Sequence, residues 1–302
     1  MIDALIHNLA VICIPPFLIG VISRTKALFA GRTGAPLLQP YYDLFRLLRK
    51  GTVFSTTTTW VFRAAPLVTL ATTFTAAQMV PLGGHTAPLS FNGDMILFVY
   101  LLALGRFFTT AAALDTGSSF EGMGAAREVT FACLAEPVLF AALLVLSRLS
   151  GSLTMNGILP HRAADHWVSA GAVLLLLVAS LFIVLLAENC RIPFDDPATH
   201  LELTMIHEVM VLDHSGPAFG VIMYAAALKL LILGAFFLDI IIPFRSGGPA
   251  IDWLLFLFST VLLAVGIGIV ESCMARFRLV RVPQMLLAAG VLSSFALLLV
   301  LR

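Results

Sequence analysis

Acidic and histidine side chains concentrate in one connecting segment, residues 188–216, which lies between two apolar stretches long enough to cross a bilayer. The segment holds six of the chain's 17 Asp and Glu residues, together with His200 and His207. Ionisable groups are costly in lipid, so acids gathered at the mouth of a helical bundle indicate an ion path, a ligand cavity or a docking surface.

Other ionisable residues lie within or at the ends of the apolar stretches themselves: Glu136, Glu188, Lys229, Asp239 and Glu271. A charge at the bilayer centre costs about 2.5 to 3.5 kcal/mol on insertion scales, so such groups usually face the bundle interior, pair, or take up protons. Glu136 is followed by Pro137, which can loosen the helix and admit water. A purely structural role for Glu136, paired with Arg106 or Arg127, stays open. Asp239 is expected to be an ordinary interfacial acid.

The connection after Glu188 has the pattern of a short helix. Asp196 and Pro197 suit an N-cap followed by a proline at the first helical position, which predicts a helix over about 197–212. Metal binding by His200, His207 and Glu208 matches no standard zinc spacing, and we expect no metal on this chain. Proton handling fits better, because histidines titrate near neutral pH and neighbouring carboxylates raise one another's pKa.

The composition is that of an integral membrane protein, with 60% hydrophobic and 12% charged residues. A net charge of +1 argues against a nucleic-acid partner. Since a spanning helix needs about 20 apolar residues, the chain is expected to be all-α, a single transmembrane domain over 1–302 with about eight spans. The windows are 4–22, 61–81, 95–114, 129–149, 168–187, 218–242, 251–270 and 282–301.

Lysine and arginine residues are distributed unevenly over the two faces that eight spans define. Twelve of the 18 fall on one face and four on the other. By the positive-inside rule the richer face is cytoplasmic, and both termini lie outside. The predicted cytoplasmic elements are 24–60, 115–128, 188–217 and 271–282, of which the third is a long acidic loop between spans five and six.

The first cytoplasmic element contains an amphipathic pattern over residues 39–50. Tyr41, Leu44, Phe45 and Leu48 share one stripe, and charged residues occupy the rest. This helix should lie along the membrane interface. It could anchor to lipid headgroups, dock a partner protein, or do both.

Known catalytic signatures do not occur in the sequence. Cys13, Cys133, Cys190 and Cys273 are widely spaced, without a C-x-x-C pair for zinc or an iron-sulfur cluster, and are best interpreted as buried thiols without a chemical role. The sequence has no P-loop, dinucleotide fingerprint or G-x-S-x-G elbow. We therefore expect no redox centre on this chain.

Several segments together resemble one family. Glu188-Asn-Cys-Arg-Ile-Pro-Phe-Asp195, Pro197, Glu202-Leu203 and Asp213-His-Ser-Gly216 resemble the signature loop of the H-type membrane subunit (subunit 1) of respiratory complex I and its relatives in membrane-bound nickel-iron hydrogenases. The segments 32–44, 114–120, 124–128, 136–137 and 271–278 look closer to the hydrogenase-4 and formate hydrogenlyase branch. The complex I loop carries alternating glutamates, whereas this chain has Ala198, His200 and Glu202.

The resemblance implies a membrane-arm subunit in the cell's inner membrane that couples redox chemistry to proton or sodium translocation. Its cytoplasmic partners would be hydrogenase-like large and small subunits and an iron-sulfur subunit, which would carry iron-sulfur clusters and could carry a nickel-iron centre. Antiporter-like subunits and lipid would be its membrane partners. A quinone-site subunit, with a cavity beneath spans one, five and six, and a passive membrane anchor are the alternatives.

Residue roles follow from the same resemblance together with the buried charges. The predicted coupling residues are Glu136, Glu188, Asp195, Glu202, Glu208, Asp213, Lys229 and Glu271. The predicted counter-charges are Arg106, Arg127 and Arg191. The predicted partner interface consists of Arg32, Tyr41, Asp43, Asp115, Glu121, Arg276 and Arg278.

Overall fold

Long helices account for most of the computed structural model, which describes residues 2–158, 163–195, 205–242 and 248–302. Within these ranges there are ten α-helices and no β-strand. They are α1 (Ile2–Phe29), α2 (Gln39–Leu48), α3 (Trp60–Ala77), α4 (Asp94–Asp115), α5 (Ser119–Ser150), α6 (Met155–Ile158), α7 (Ala163–Glu188), α8 (Gly216–Ile241), α9 (Pro249–Cys273) and α10 (Val282–Leu301).

Seven helices in the described ranges are long and apolar enough to cross a membrane: α1, α4, α5, α7, α8, α9 and α10. The second predicted span coincides with α3, which has 18 residues and carries Arg63 and several threonines. It lies outside this set of seven, so the count of eight stays a prediction. The all-helical membrane class is confirmed.

Helix α8 lies at the centre of the bundle. It packs against α1, α2, α3, α7 and α9, and its residues from Leu230 to Ile240 are all buried. A helix that is apolar on every side must be covered by protein or lipid on every side. Here neighbouring helices supply that cover, so Lys229, one residue before the buried run, faces protein groups.

Two consecutive prolines interrupt the hydrogen bonding of α1. Pro15 and Pro16 have no N–H, so the carbonyls of Val11 and Ile12 lose their helical donors. The Tyr224 hydroxyl of α8 donates to both carbonyls, at 3.3 and 3.0 Å. The two carbonyls that lose their helical donors therefore form a contact between α1 and α8.

The amphipathic segment forms α2, which packs on α1 and α8. The Tyr41 hydroxyl donates to the Cys13 carbonyl of α1, and Leu44 is half-buried. Phe45 and Leu48 are 56% and 54% exposed. The predicted stripe is therefore divided, with part of it against the bundle and part available to lipid or a partner.

The helix predicted over about 197–212 is wrong in its second half. Residues 205–207 are not helical, and Glu208–Val211 form one turn of 3-10 helix. Residues 196–204, with Glu202 and His200, lie outside the described part of the chain. The described turn is held by tertiary contacts: a Cβ at Gly124 of α5 would come within 2.3 Å of Val209 and 3.0 Å of the Ile206 carbonyl.

Gly124 allows a close approach that we expect an alanine to disrupt. The Gly124→Ala substitution should lower stability by about 1 to 3 kcal/mol, because the turn at 206–210 must move away from α5. Gly122, two residues earlier on the same helix, has open space around its Cβ position. Gly122→Ala is the matched control and should leave stability unchanged or raise it by up to about 1 kcal/mol. Thermal unfolding in detergent compares the two, and equal effects would contradict the packing argument.

Candidate functional site

Arg106 of α4 joins three carboxylates from two other helices. Its Nε lies 3.2 Å from Glu128 Oε1 and its Nη1 lies 2.5 Å from Glu136 Oε1, both on α5. Its Nη2 pairs with Glu188 at the end of α7. The Arg106 side chain is only 9% exposed. A buried guanidinium of this kind requires negative partners, and its planar donors can serve several at once.

Lys229 adds a second cation to this cluster. Its Nζ lies 2.7 Å from Glu188 Oε2, so Glu188 is shared between α4 and α8. The Glu188 side chain is 6% exposed. We call Arg106, Lys229, Glu128, Glu136 and Glu188 the Arg106 cluster. It contains two cations and three carboxylates.

Glu136 is the least constrained acid of the Arg106 cluster. Its side chain is 34% exposed, and it forms an ion pair with Arg106. Glu188, in contrast, has two cations. The other cation considered for Glu136 from the sequence, Arg127, donates to the Met205 carbonyl. Of the two structural partners proposed for Glu136, the structure therefore pairs it with Arg106.

A second ion-pair group surrounds Glu271 near the end of α9. Lys26 of α1 lies 2.9 Å from Glu271 Oε2, and Arg191 of the connection lies 3.5 Å from Oε1. The Glu271 carboxylate is fully buried. Arg191 thus serves as a counter-charge to Glu271 in this geometry.

Asp195 holds the two described ends of the connection together. Its carboxylate accepts hydrogen bonds from the backbone N–H of Ile206 at 2.9 Å and of His207 at 3.2 Å. Arg276, which follows α9, lies 2.8 Å from its other oxygen. Asp195 therefore links the connection to the segment after α9.

A cavity of about 400 Å³ lies between these two groups of charges. Its walls come from α1, α3, α4, α5, α8 and α9 and from the connection after α7. Apolar side chains cover part of the wall, and the polar part includes Lys26, Arg106, Glu128, Glu188, Cys190, Arg191, Asp195, His207, Glu208, Lys229 and Glu271. Residues of both ion-pair groups therefore line one cavity.

Cys190 and His207 meet at the edge of this cavity. Burial raises the pKa of the Cys190 thiol well above its ordinary value, and the nearby Glu128 and Asp195 carboxylates act in the same direction. Burial lowers the pKa of His207, so its imidazole favours the neutral form. Neutral imidazole is the form that accepts a proton or binds a metal.

Two further predicted coupling acids, Asp213 and Glu208, lie in the described part of the connection. The Asp213 side chain is exposed, and its backbone N–H donates to Glu121 at 3.0 Å. Glu208 lines the cavity, and Glu202 lies outside the described residues. The expectation that Asp239 is an interfacial acid is wrong, because this residue is 2% exposed and lies buried inside the bundle on α8.

Most residues predicted for the partner interface are engaged within the chain. Those with internal hydrogen bonds or ion pairs are Tyr41, Asp43, Asp115, Glu121 and Arg276. Arg32 and Arg278 are exposed. An interface role for these seven residues stays a prediction.

Sequence reasoning did not assign roles to Glu128 or Lys26. Glu128 lies eight residues before Glu136 on α5, a spacing that places both on one side of a helix and could have indicated a shared partner. Lys26 is close to the end of α1, where the positive-inside rule alone makes a lysine common. No local signal identifies Glu271 as its partner.

Comparisons with known proteins agree on one family. A family model described as NADH dehydrogenase matches residues 2–302. Formate hydrogenlyase subunit 4 of Escherichia coli K12 is 31% identical over 93% of this chain and 92% of its own length. Hydrogenase-4 component C of the same organism is 31% identical over 92% and 89%.

More distant proteins share the fold. The H-type subunit of the NADH-quinone oxidoreductase of Anaplasma phagocytophilum is 28% identical over 80% of this chain and 76% of its own length. A chain of the membrane-bound sulfane sulfur reductase, described as an archaeal respiratory membrane complex, superposes with a TM-score of 0.78 at 20% identity, covering 98% of both chains.

Removal of Arg106 should be strongly destabilising. Arg106→Gln leaves three carboxylates with Lys229 as the remaining cation of the cluster, and the loss of one partner of a buried ion pair typically costs about 3 to 5 kcal/mol. Adding Glu136→Gln should restore part of the loss. Arg148→Gln, at an exposed arginine of α5, is the control. Thermal unfolding in detergent measures all three, and an Arg106→Gln effect as small as the control would contradict the cluster's structural role.

His214 should make the fold sensitive to mild acid. Its ring is stacked 3.9 Å from that of Phe62, and burial lowers its pKa from 6.5 to about 4. Between pH 6.5 and about 4 the unfolded chain binds this proton and the folded chain does not, so stability falls as pH falls through that window. His214→Phe keeps an aromatic ring and removes the proton site. Its unfolding midpoint should decrease less than that of the wild type over this range; parallel decreases would exclude His214 as the cause.

Proposed function

The chain belongs to the NADH dehydrogenase family, and from this premise we propose that it is the membrane-arm subunit of a complex I-like respiratory hydrogenase or formate hydrogenlyase complex. In this role it anchors the peripheral redox arm and couples electron transfer there to the translocation of protons or sodium ions. The similarity to formate hydrogenlyase subunit 4 and hydrogenase-4 component C along almost the whole chain supports the assignment.

The proposed setting is the cell's inner membrane, with residues 1–302 as one transmembrane domain and both termini outside. The excess of lysine and arginine in the elements 24–60, 115–128, 188–217 and 271–282 supports a cytoplasmic location for them. The C-terminal end of α7, the connection after it and the N-terminal end of α5 would then all face the cytoplasm.

The proposed partners on that face are hydrogenase-like large and small subunits and an iron-sulfur subunit. Those subunits would hold the iron-sulfur clusters and a nickel-iron centre. Antiporter-like membrane subunits would receive the released energy. The exposed Phe45 and Leu48 of α2, and the exposed Arg32 and Arg278, offer apolar and basic surface for such contacts.

The Arg106 cluster is the observation on which the coupling role rests. Carboxylates from α5 and α7 converge on one guanidinium beside a cavity. Such an arrangement can exist in two states, since one arginine can exchange partners among several acids. A carboxylate that loses its cation in a low-dielectric bundle favours the neutral, protonated form.

A sequence of events follows from these contacts. A redox change in the cytoplasmic partner shifts the connection after Glu188, which moves Asp195 and its hydrogen-bonded turn. The shift draws Arg106 toward Glu128 and Glu188 and away from Glu136. Glu136 then takes up a proton, and the return of Arg106 releases it. Coupling of this kind requires two states of different proton affinity.

The cavity favours a second candidate function, a site for a lipid-soluble quinone. Its volume of about 400 Å³ is within the usual range for small-molecule sites, and its wall combines apolar helices with a few charged groups. A quinone analogue carrying a photoreactive group would label residues of α1 and α8 if this function holds. Quinone-independent turnover of the complex together with no labelling would exclude it.

Glu136→Gln should uncouple the complex without dissociating it. Because Gln keeps the shape of the side chain but cannot bind and release the proton, ion movement per electron transferred should fall at least about tenfold while redox turnover continues. The measurement is simultaneous ion uptake and redox activity in inverted membrane vesicles that contain the assembled complex.

Asp239→Asn is the matched control, because Asp239 is a buried acid on α8 and outside the Arg106 cluster. It should assemble and retain coupling, since Asp239 does not line the cavity. Unchanged ion movement in Glu136→Gln would refute the coupling role. Loss of membrane attachment without any change in ion movement would select a passive anchor instead.

A further inference from the structure

Glu128, Cys190 and His207 come together although they are far apart in the sequence. Glu128 is on α5, Cys190 directly follows α7, and His207 precedes the 3-10 turn. One ligand atom from each side chain lies within 4.8 Å of the other two, and all three side chains are partly buried. Within residues 2–158, 163–195, 205–242 and 248–302, no other group of at least three His, Cys, Asp or Glu side chains has this property.

The three donors match the preferences of a zinc-like ion. A thiolate, an imidazole and a carboxylate are ligands that zinc and its neighbours bind, at roughly 2.0 to 2.3 Å. Ligand atoms around such an ion lie roughly 3 to 4 Å from one another, so the three side chains need only a small closure. All three also line the cavity, which leaves room for water as a fourth ligand.

The backbone at His207 is held in place before any ion binds. Its backbone N–H and that of Ile206 donate to Asp195, which fixes the backbone from which the imidazole projects. Its Nδ1 is buried and has no hydrogen-bond partner among the described residues. An unpaired ring nitrogen beside a thiol and a carboxylate is available to a ligand, because buried polar atoms normally have partners.

Cys190 has an unusual backbone conformation. Its φ is +50°, and among the described non-glycine residues it is the one with a positive φ. This region is uncommon for side chains other than Asn and Asp, and it persists only where the surroundings require it. The conformation lets the chain reverse directly after α7 while the thiol remains at the cavity wall.

The local charge is suited to a divalent cation. The Arg106 cluster has two cations and three carboxylates, which gives a net charge of −1. A thiolate at Cys190 would make the total −2, and one divalent ion would balance it. Arg106 limits the affinity of this site for the ion, because Glu128 must give up its ion pair with Arg106 in order to bind the ion.

We propose that Glu128, Cys190 and His207 bind one zinc-like divalent transition-metal ion per chain, with an exchangeable water on the cavity side. The ion would tie the beginning and the end of the connection to α5. It would also take Glu128 away from Arg106, so it would act on the same arginine that holds Glu136. These ligands differ from the set considered from the sequence, which combined His207 with His200 and Glu208.

Cobalt(II) provides a direct test on the full chain purified in detergent. We expect one cobalt per chain, with the thiolate-to-cobalt charge-transfer absorption of a Co–S bond, and stoichiometric displacement by zinc. Zinc should also raise the unfolding midpoint, because it binds the folded chain through three residues that are distant in sequence. Absence of the charge-transfer band in the wild-type chain would refute the site.

Matched variants identify the ligands. Cys190→Ser should remove the charge-transfer band, and His207→Gln and Glu128→Gln should each weaken cobalt binding at least about tenfold. Cys133→Ser, at an exposed cysteine of α5, should bind as the wild type does. A band that survives Cys190→Ser but disappears in Cys133→Ser would overturn the assignment. If Cys190→Ser fails to fold, His207→Gln and Glu128→Gln decide the assignment, and wild-type cobalt binding by both would refute it.

Metal binding and ion coupling can fail independently. Cobalt spectra are read on the chain alone, without redox turnover, and so do not depend on the role of Glu136. An uncoupled Glu136→Gln complex that shows no metal site would leave the proposed function standing, and the reverse result would leave the metal site standing.

Discussion

A buried positive charge must be neutralised where it lies, and this requirement organises the centre of the bundle. Arg106 and Lys229 enter from α4 and α8, and carboxylates of α5 and α7 surround them. Removing such charges from water costs several kcal/mol for each ion, which close partners must offset. The four helices are therefore constrained by charge pairing as well as by apolar packing. Their relative positions cannot change without some carboxylate losing its cation.

The cavity and the ion pairs are parts of one arrangement. A charged wall cannot pack against aliphatic side chains without losing solvation, so the charges border open space rather than a dry core. Glu271 with Lys26 and Arg191 borders the same space from α9 and α1. A chamber with ion pairs on two sides can respond to a change at either one. The proposed coupling role requires a response of this kind, because we expect no redox centre on this chain.

The sequence predicts the helices far better than it predicts the contacts between them. Apolar windows locate every long helix of the described ranges, because spanning length and hydropathy are local properties. Arg106 could be identified as a counter-charge and as one of two partners for Glu136, 30 residues away. Its pairing with Glu188, 82 residues away, is encoded by no local pattern. The composition of 205–211 permits a helix. The segment instead forms a 3-10 turn, because the Asp195 carboxylate binds its backbone and Gly124 of α5 allows it to approach closely. Both contacts come from residues distant in sequence.

The order of the charged residues along the chain bears on how the protein is made. Arg106 belongs to α4, and its acids Glu128 and Glu136 belong to α5, the next helix to leave the ribosome. Glu188 is already in place at the end of α7 when α8 brings Lys229 to it. Each charge of the Arg106 cluster thus reaches the bilayer close in time to a helix that carries an opposite charge. Insertion as helical pairs would spare the translocon from releasing a lone arginine or lysine into lipid.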